Sequence, residues 1–152
     1  MNRFGLRFHH FGLAVPEAGP ALRYLQALGY QAGPVVFDPL QSVNLALCRH
    51  TEMPDVELVW PGAVASPIDQ LLKRRGPHVY HLCYGAASVP AAIAAMEASG
   101  FNVAVISEAK PAVLFGGRAV SFYSVAEIGV IELLDDTSPE SGAARGEQYA
   151  DA

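Results

Sequence analysis

Two hydrophobic patterns alternate along this chain, and the alternation occurs twice. A short apolar run with strand-like spacing begins near His10 and again near His81. A segment with apolar residues at helical spacing follows each run and ends at Gly29 or Gly100, where glycine suits the left-handed residue after a helix. Three more apolar runs, separated by turn residues, complete each copy. The pattern therefore predicts βαβββ twice.

The two copies also align residue by residue. His10-Phe11-Gly12-Leu13 lies over His81-Leu82-Cys83-Tyr84 at an offset of 71 residues, and Val56-Glu57-Leu58-Val59 matches Ile131-Glu132-Leu133-Leu134 at an offset of 75. We predict an α+β fold of two tandem βαβββ modules, at about 8–61 and 79–135, within a single domain of residues 1–136.

The segments outside the modules have simpler signals. Residues 66–76 predict a linker helix, with a serine N-cap, proline at the first position, basic residues in the last turn and glycine after the end. Residues 137–152 contain few apolar side chains and predict a flexible C-terminal tail.

Composition excludes several classes of function. The chain of 152 residues is 51% hydrophobic and 16% charged, which is typical of a packed globular domain. The net charge of −5, without a long basic stripe, argues against nucleic-acid binding. No apolar stretch approaches the ~20 residues of a membrane span, so we predict no membrane partner and a cytoplasmic protein.

Four residues at repeat-equivalent strand positions are candidates for chemistry. Strand alternation puts His10 on a face with Gly12, and His81 on a face with Cys83, so each histidine has room beside it. Glu57 and Glu132 lie inside apolar strands, where an unpaired carboxylate is costly.

A shared cation would remove that cost. Two imidazoles and two carboxylates suit one divalent metal ion, and Ni, Co, Zn, Mn and Fe all remain open. The predicted metal ligands are His10, Glu57, His81 and Glu132. The neighbouring His9 is left out, because alternation predicts that it faces away from His10.

These motifs and the repeat resemble the vicinal oxygen chelate superfamily, which includes glyoxalase I, extradiol dioxygenases and bleomycin resistance proteins. The opening His9-His10-Phe11-Gly12-Leu13-Ala14-Val15-Pro16 and the later Gly116-Gly117-Arg118 and Gly129-Val130-Ile131-Glu132-Leu133 look most like the methylmalonyl-CoA epimerase branch. The resemblance runs from about Phe8 to Leu134.

The resemblance implies a cupped mixed sheet around a central metal site. It also implies chelation of two neighbouring substrate oxygens, with Glu132 and Glu57 as candidate catalytic carboxylates and Glu132 as the base. Family members are commonly dimers, so a homodimer is expected. The sequence departs from the epimerase pattern at Leu45, where some bacterial epimerases have a second catalytic glutamate.

The leading functional hypothesis is a metal-dependent isomerase, epimerase or lyase that acts next to the carbonyl of an acyl thioester or 2-oxo compound. Arg118, which could anchor an anionic substrate group, and Asn44 are candidate substrate-binding residues. One alternative is an Fe(II) dioxygenase that uses only His10, His81 and Glu132. Another is a non-catalytic small-molecule binding protein of the bleomycin-resistance type.

Overall fold

The computed structural model describes residues 2–137, which form two modules and a helix between them. Module 1 contains β1 (Leu6–Ala14), α1 (Ala18–Ala27), β2 (Gln31–Ala32), β3 (Val36–Asp38), β4 (Val43–Arg49) and β5 (Asp55–Pro61). The connecting helix is α2 (Pro67–Arg75). Module 2 contains β6 (His78–Ala86), α3 (Val89–Ala98), β7 (Val103–Pro111), β8 (Ala119–Val125) and β9 (Gly129–Asp135). Apart from Thr137, the predicted tail lies outside the described residues.

All of these strands belong to one open, cupped mixed sheet. Its order is β2-β4-β5-β1-β6-β9-β8-β7, and β3 pairs with β4 beside β2. The first strand of each module pairs in parallel with the last, β1 with β5 and β6 with β9. The antiparallel pair of β1 and β6 joins the modules at the centre of the sheet. Because β2 and β3 pair with successive parts of β4 and so occupy one strand position, the predicted α+β fold with tandem βαβββ modules is confirmed.

The helices α1 and α3 cover one face of the sheet, and each packs on its own module. Leu25 of α1 lies in a buried cluster with Cys48, Val56 and Leu58. Ala92 and Met96 of α3 lie in a second cluster, with Tyr123, Ile131 and Leu133 among its buried residues. Apolar spacing along each helix thus fixes which face of each strand becomes core.

Local signals end the helices where the sequence predicts. Gly29 and Gly100 follow α1 and α3 with φ of 96° and 88°, which is left-handed backbone. At the start of α2, the Asp69 carboxylate accepts a hydrogen bond from the Ser66 backbone N–H at 2.7 Å. Within residues 2–137, no helix is long and apolar enough to cross a membrane.

Candidate metal centre

Two rows of residues cross the centre of the sheet on the face opposite the helices. One row is Glu57, Gly12 and His81, because Gly12 pairs with Glu57 on β5 and with His81 on β6. The other row is His10, Cys83 and Glu132, because Cys83 pairs with His10 on β1 and with Glu132 on β9. Paired residues point to the same face of a sheet. We call this face the inner face.

Four polar side chains of these rows converge in the interior. His10, Glu57, His81 and Glu132 expose only 0%, 4%, 2% and 3% of their surfaces. One ligand atom from each lies within 4.8 Å of the other three. Four residues from four strands, separated by up to 122 positions in the chain, thus form one buried cluster.

The distances within the cluster are short and similar. His10 Nε2 lies 3.0 Å from Glu57 Oε2 and 3.3 Å from Glu132 Oε2. His81 Nε2 lies 3.3 Å from Glu57 Oε2 and 3.2 Å from Glu132 Oε2. The two Nε2 atoms are 3.4 Å apart.

These separations fit the coordination sphere of a small divalent ion. Ligand atoms at 2.0–2.1 Å from a tetrahedral metal stand ~3.3 Å apart, and those at neighbouring octahedral positions ~3 Å apart. Among the described residues, Glu132 Oε2 is buried without a hydrogen-bond partner. An orphaned carboxylate oxygen beside two imidazole nitrogens is explained by a cation, so the residues present fit a metal.

Charge pairing within the cluster shifts the pKa of every member. Burial alone would lower the pKa of His81, but the facing carboxylates of Glu132 and Glu57 outweigh it and raise that pKa to about 9. The pKa of His10 is raised by the same balance. Burial alone would raise the pKa of Glu57 and of Glu132, but the two histidines lower both below the ordinary value of 4.5.

Gly12 provides the space that His81 occupies. A β-carbon added to Gly12 would lie 2.1 Å from His81 Cε1 and 2.5 Å from His81 Nε2. No real contact is this close, so any larger side chain at residue 12 displaces the imidazole. The sequence predicts a small residue beside each histidine. At residue 12 a small residue is required, because the His81 ring occupies the space of a larger side chain.

The prediction that His9 faces away from His10 is wrong. On β1, Phe8 pairs with Tyr84 and His10 with Cys83, so His9 is an extra residue without a partner on β6. This bulge interrupts the alternation of the strand. As a result, His9 Nδ1 lies 2.8 Å from His10 Nδ1. Burial first, and then the neighbouring His10, lower the pKa of His9.

The second module has the same irregularity at the equivalent position. On β6, His81 pairs with Gly12 and Val79 with Leu13, so Tyr80 is the extra residue. The Tyr80 ring contacts the His81 ring with centroids 4.4 Å apart at 84°. The repeat aligns Tyr80 with His9. In both copies a polar or aromatic residue stands immediately before the cluster histidine, and this shared position is the sequence signal of the bulges.

A turn between β7 and β8 covers the cluster. A short 3₁₀ helix at Val113–Phe115 places the Phe115 ring against the His10 ring, with centroids 5.3 Å apart at 28°. Leu114 packs on the apolar cluster that includes Val43 and Leu45. Two glycines with positive φ, Gly116 and Gly117, end the turn. We expect this turn to move when a molecule larger than an ion enters.

The structure separates the two predicted substrate-binding residues: Asn44 lies on the face opposite the cluster, whereas the charge of Arg118 acts on His9 and Cys83 beside it. Asn44 pairs with Trp60, and alternation from Glu57 puts both on the helix face. Its side-chain amide donates to the Pro61 carbonyl oxygen at 3.0 Å. Arg118 forms an ion pair with Asp136, which also pairs with Arg7.

Leu45, where the sequence departs from the epimerase pattern, lies on the inner face in apolar surroundings. It pairs with Val59, two residues along β5 from Glu57. It is 5% exposed and belongs to a cluster with Ala14, Val43, Val59 and Ile68. This chain thus places a hydrocarbon side chain where a second acid would stand.

Comparison with known proteins agrees with this geometry. The model of the Glyoxalase/Bleomycin resistance protein/Dioxygenase superfamily matches residues 9–122. The chain therefore belongs to this superfamily, as its sequence motifs indicated. A search of curated proteins finds no match.

Solved structures with the same architecture include a hypothetical protein from Bacillus halodurans C-125, with 24% identity and a TM-score of 0.73 over 88% of this chain and 96% of that one. Methylmalonyl-CoA epimerase from Mycobacterium tuberculosis has 22% identity and a TM-score of 0.71 over 92% of both chains. A variant of the Streptomyces coelicolor methylmalonyl-CoA epimerase, in complex with 2-nitronate-propionyl-CoA, has 20% identity and a TM-score of 0.66 over 87% of this chain and 98% of that one. At these identities the similarity establishes the shared fold.

Proposed function

We propose that this protein is a metal-dependent enzyme that removes a proton from the carbon next to a carbonyl group. The substrate would be an acyl thioester or a 2-oxo compound, and the reaction an isomerisation, an epimerisation or a lyase reaction. The observation that carries the proposal is the buried convergence of two imidazoles and two carboxylates at 3.0–3.4 Å.

His10, Glu57, His81 and Glu132 would hold the metal. A divalent ion held there would supply positive charge that stabilises the negative charge developing on the substrate. One of several metals fits, and Ni, Co, Zn, Mn and Fe are all consistent with these ligands. The buried location keeps water from the reacting atoms and strengthens every electrostatic interaction there.

Glu132 is the proposed base. Its Oε2 atom lies 3.3 Å from His10 Nε2 and 3.2 Å from His81 Nε2, at the centre of the cluster. The choice of Glu132 over Glu57 rests on the resemblance to the superfamily, because both carboxylates lie at similar distances from the histidines. In the step we propose, Glu132 takes the proton, and the electron pair of the C–H bond moves toward the carbonyl oxygen to give an enolate.

Leu45 bears on what happens to that proton. With no carboxylate at residue 45, Glu132 returns the proton to the face from which it came. We therefore expect the α-hydrogen to exchange with solvent faster than the configuration of the carbon inverts. This expectation favours an isomerase or lyase over a true epimerase.

The dioxygenase alternative is less well supported. It would use His10, His81 and Glu132 alone, but Glu57 Oε2 lies as close to both histidines as Glu132 Oε2 does. A fourth protein ligand closes a position that oxygen would need.

The relatives with bound ligands support the substrate class. One solved structure is a methylmalonyl-CoA epimerase in complex with methylmalonyl-CoA and NH4+, at 20% identity and a TM-score of 0.67 over 89% of this chain. The bound ligand in that protein is an acyl thioester with a carbon next to its carbonyl. Acyl thioesters are therefore the first compounds to assay.

The first test is metal content per chain, measured by mass spectrometry on untagged protein purified without chelator. About one transition metal ion per chain, lost in His10→Ala/His81→Ala, is the expected result. Wild-type protein that takes up none of Ni, Co, Zn, Mn or Fe would overturn the proposal.

The second test follows the α-hydrogen of acyl thioesters and 2-oxo compounds in deuterated solvent by NMR. Exchange should occur with the metal-loaded protein and be lost in Glu132→Gln. Glu108→Gln, which changes an exposed glutamate on β7, is the control and should keep the wild-type rate. Exchange that persists undiminished in Glu132→Gln would remove Glu132 from the base role.

We further propose a cytoplasmic homodimer whose folded domain ends near residue 136, by analogy with the family. Light scattering on purified protein tests the dimer. A chain truncated after Thr137 tests the domain boundary, because it should keep both the melting temperature and the metal content of the full chain.

A further inference from the structure

His9 is a polar residue beside the cluster to which the proposed reaction assigns no role. Its side chain reaches the inner face only because of the bulge in β1. Natural bulges often redirect a side chain next to a functional site.

The His9 ring makes two contacts that fix its position. Its Nδ1 atom lies 2.8 Å from His10 Nδ1, which is hydrogen-bond distance. Its edge meets the Phe115 ring with centroids 5.3 Å apart at 81°. The hydrogen bond with His9 uses the Nδ1 atom of His10, whereas the Nε2 atom of His10 is directed at the carboxylates.

The tautomer of the pair follows from the cluster. His10 Nε2 points to Glu57 and Glu132, so it is the nitrogen that would bind a cation and must then be unprotonated. The single proton of a neutral His10 is then on Nδ1. His9 must accept it through its own Nδ1, and its remaining proton is on Nε2.

We propose that His9 is a positioning residue that accepts the Nδ1–H hydrogen bond of His10 and so orients His10 Nε2 toward the metal. This inference rests on the proposed metal site. Metal-binding histidines are usually held in this way by a carboxylate, a backbone carbonyl or a water molecule, and here an imidazole supplies the acceptor.

The internal repeat provides a matched comparison. Tyr80 occupies the bulge equivalent to that of His9, but the neighbouring His81 has a buried Nδ1 with no hydrogen-bond partner in the described part of the chain. The two modules therefore differ: the histidine of β1 is held by a side chain and the histidine of β6 is not. Tyr80→Phe keeps the ring on His81 and removes only a hydroxyl.

The experiment measures the affinity for Zn²⁺ and Co²⁺ by competition with a chromophoric chelator. His9→Phe keeps a ring against Phe115 and removes the acceptor, and it should weaken binding by roughly 10–100-fold. His9→Asn restores an acceptor oxygen close to the backbone and should recover most of the loss. Tyr80→Phe should bind like the wild-type protein.

A second measurement needs no substitution. In Zn-loaded wild-type protein labelled with ¹⁵N in histidine, NMR should show a coupling across the hydrogen bond between the Nδ1 atoms of His9 and His10. The Co²⁺ absorption spectrum of His9→Phe should also differ from that of wild type, since the orientation of one ligand changes.

The outcomes separate the two proposals. If wild-type protein binds neither metal, the proposed function fails, and the role of His9 fails with it. If wild-type protein binds metal but His9→Phe binds equally well, only the role of His9 is overturned. Absence of the Nδ1–Nδ1 coupling in Zn-loaded wild-type protein overturns the hydrogen bond itself, even if His9→Phe does not fold.

Discussion

The imidazole of His81 lies against the backbone of Gly12, so that a β-carbon at residue 12 would fall 2.1 Å from His81 Cε1. This contact joins the two modules at the centre of the sheet, because Gly12 is on β1 and His81 on β6. The position of one cluster residue therefore depends on the absence of a side chain in the other module.

Gly12→Ala should displace His81 and remove metal binding. The backbone tolerates alanine at this position, since Gly12 is not among the residues with positive φ. The cost is steric, and overpacking of this kind destabilises by about 1–3 kcal/mol. Metal content and urea denaturation measure both effects.

Gly19→Ala is the control for this substitution. An added β-carbon there would meet only Arg23 Nη1 at 3.6 Å, and alanine favours the helix α1. This variant should keep full metal binding and equal or greater stability. Normal metal binding in Gly12→Ala would contradict the role of Gly12.

Without metal, the protein should be most stable between about pH 4.5 and pH 6.5. The folded-state pKa of His81 is raised to about 9 from 6.5, so its contribution is complete below pH 6.5 and is lost as the pH rises through 9. The pKa values of Glu57 and Glu132 are lowered from 4.5, so their contribution is present above that pH and is lost as the pH falls. Thermal melts with chelator across this range test the prediction.

Metal should move this optimum upward. A cation replaces the protons on His10 and His81, so affinity increases with pH as the histidines lose them. At a free metal concentration of 100 times the dissociation constant, binding adds ~2.7 kcal/mol to the free energy of unfolding.

The metal-free protein provides the contrary outcome for the pH optimum. If its melting temperature, measured with chelator present, keeps rising from pH 6.5 to 9, the charge pairing within the cluster is contradicted.

Phe115→Ala should accelerate the loss of bound metal. The Phe115 ring covers His10, and the turn that carries it ends in two glycines with φ of 65° and 85°. We expect extraction by chelator to be about tenfold faster, equivalent to ~1.4 kcal/mol of lost contact. Stopped-flow chelation measures the rate.

Phe101→Ala provides the comparison for Phe115→Ala. Phe101 is 40% exposed and packs edge-on against Phe4, away from the cluster. Its removal should leave the rate of metal extraction unchanged. Equal rates in all three proteins would show that the turn does not control access.

Arg118→Met should reduce stability more than Arg7→Met. Both arginines pair with Asp136, but the side chain of Arg118 is 18% exposed and that of Arg7 is 72% exposed. Exposed ion pairs contribute ~0–1 kcal/mol, and a partly buried charge that loses its partner costs more, about 1–3 kcal/mol. Urea denaturation of both variants measures the difference.

The same pair of variants separates a structural from a substrate-binding role for Arg118. If Arg118 anchors substrate, Arg118→Met should raise KM for an anionic substrate at conditions where the variant is fully folded. The ion pair with Asp136 leads us to expect an unchanged KM.

The fold was predictable from the sequence because its signals are local and repeated. The apolar spacing of residues 18–28 and 89–98, and the glycines at 29 and 100, act within a few residues of each other. Two aligned copies of the pattern then restrict the topology strongly, since each copy must bury the same helix face on its own strands.

The residues of the candidate cluster were also predictable, but their surroundings were not. The repeat selected His10, Glu57, His81 and Glu132, which the structure brings together. Strand alternation placed His9 on the wrong face, since a bulge depends on the register of β1 with β6 rather than on either strand alone. The sequence does not show which face Asn44 occupies, and the pairing of Asn44 with Trp60 decides this.

By itself, therefore, the sequence determined the helices and strands, their duplication and the candidate metal ligands, because periodicity, capping and residue chemistry are properties of short segments. Only the tertiary structure decided that His9 contacts His10, that Phe115 covers the cluster and that Arg118 pairs with Asp136. These contacts depend on strand register and on how a distant turn folds back, and such long-range pairings leave no local pattern in the chain.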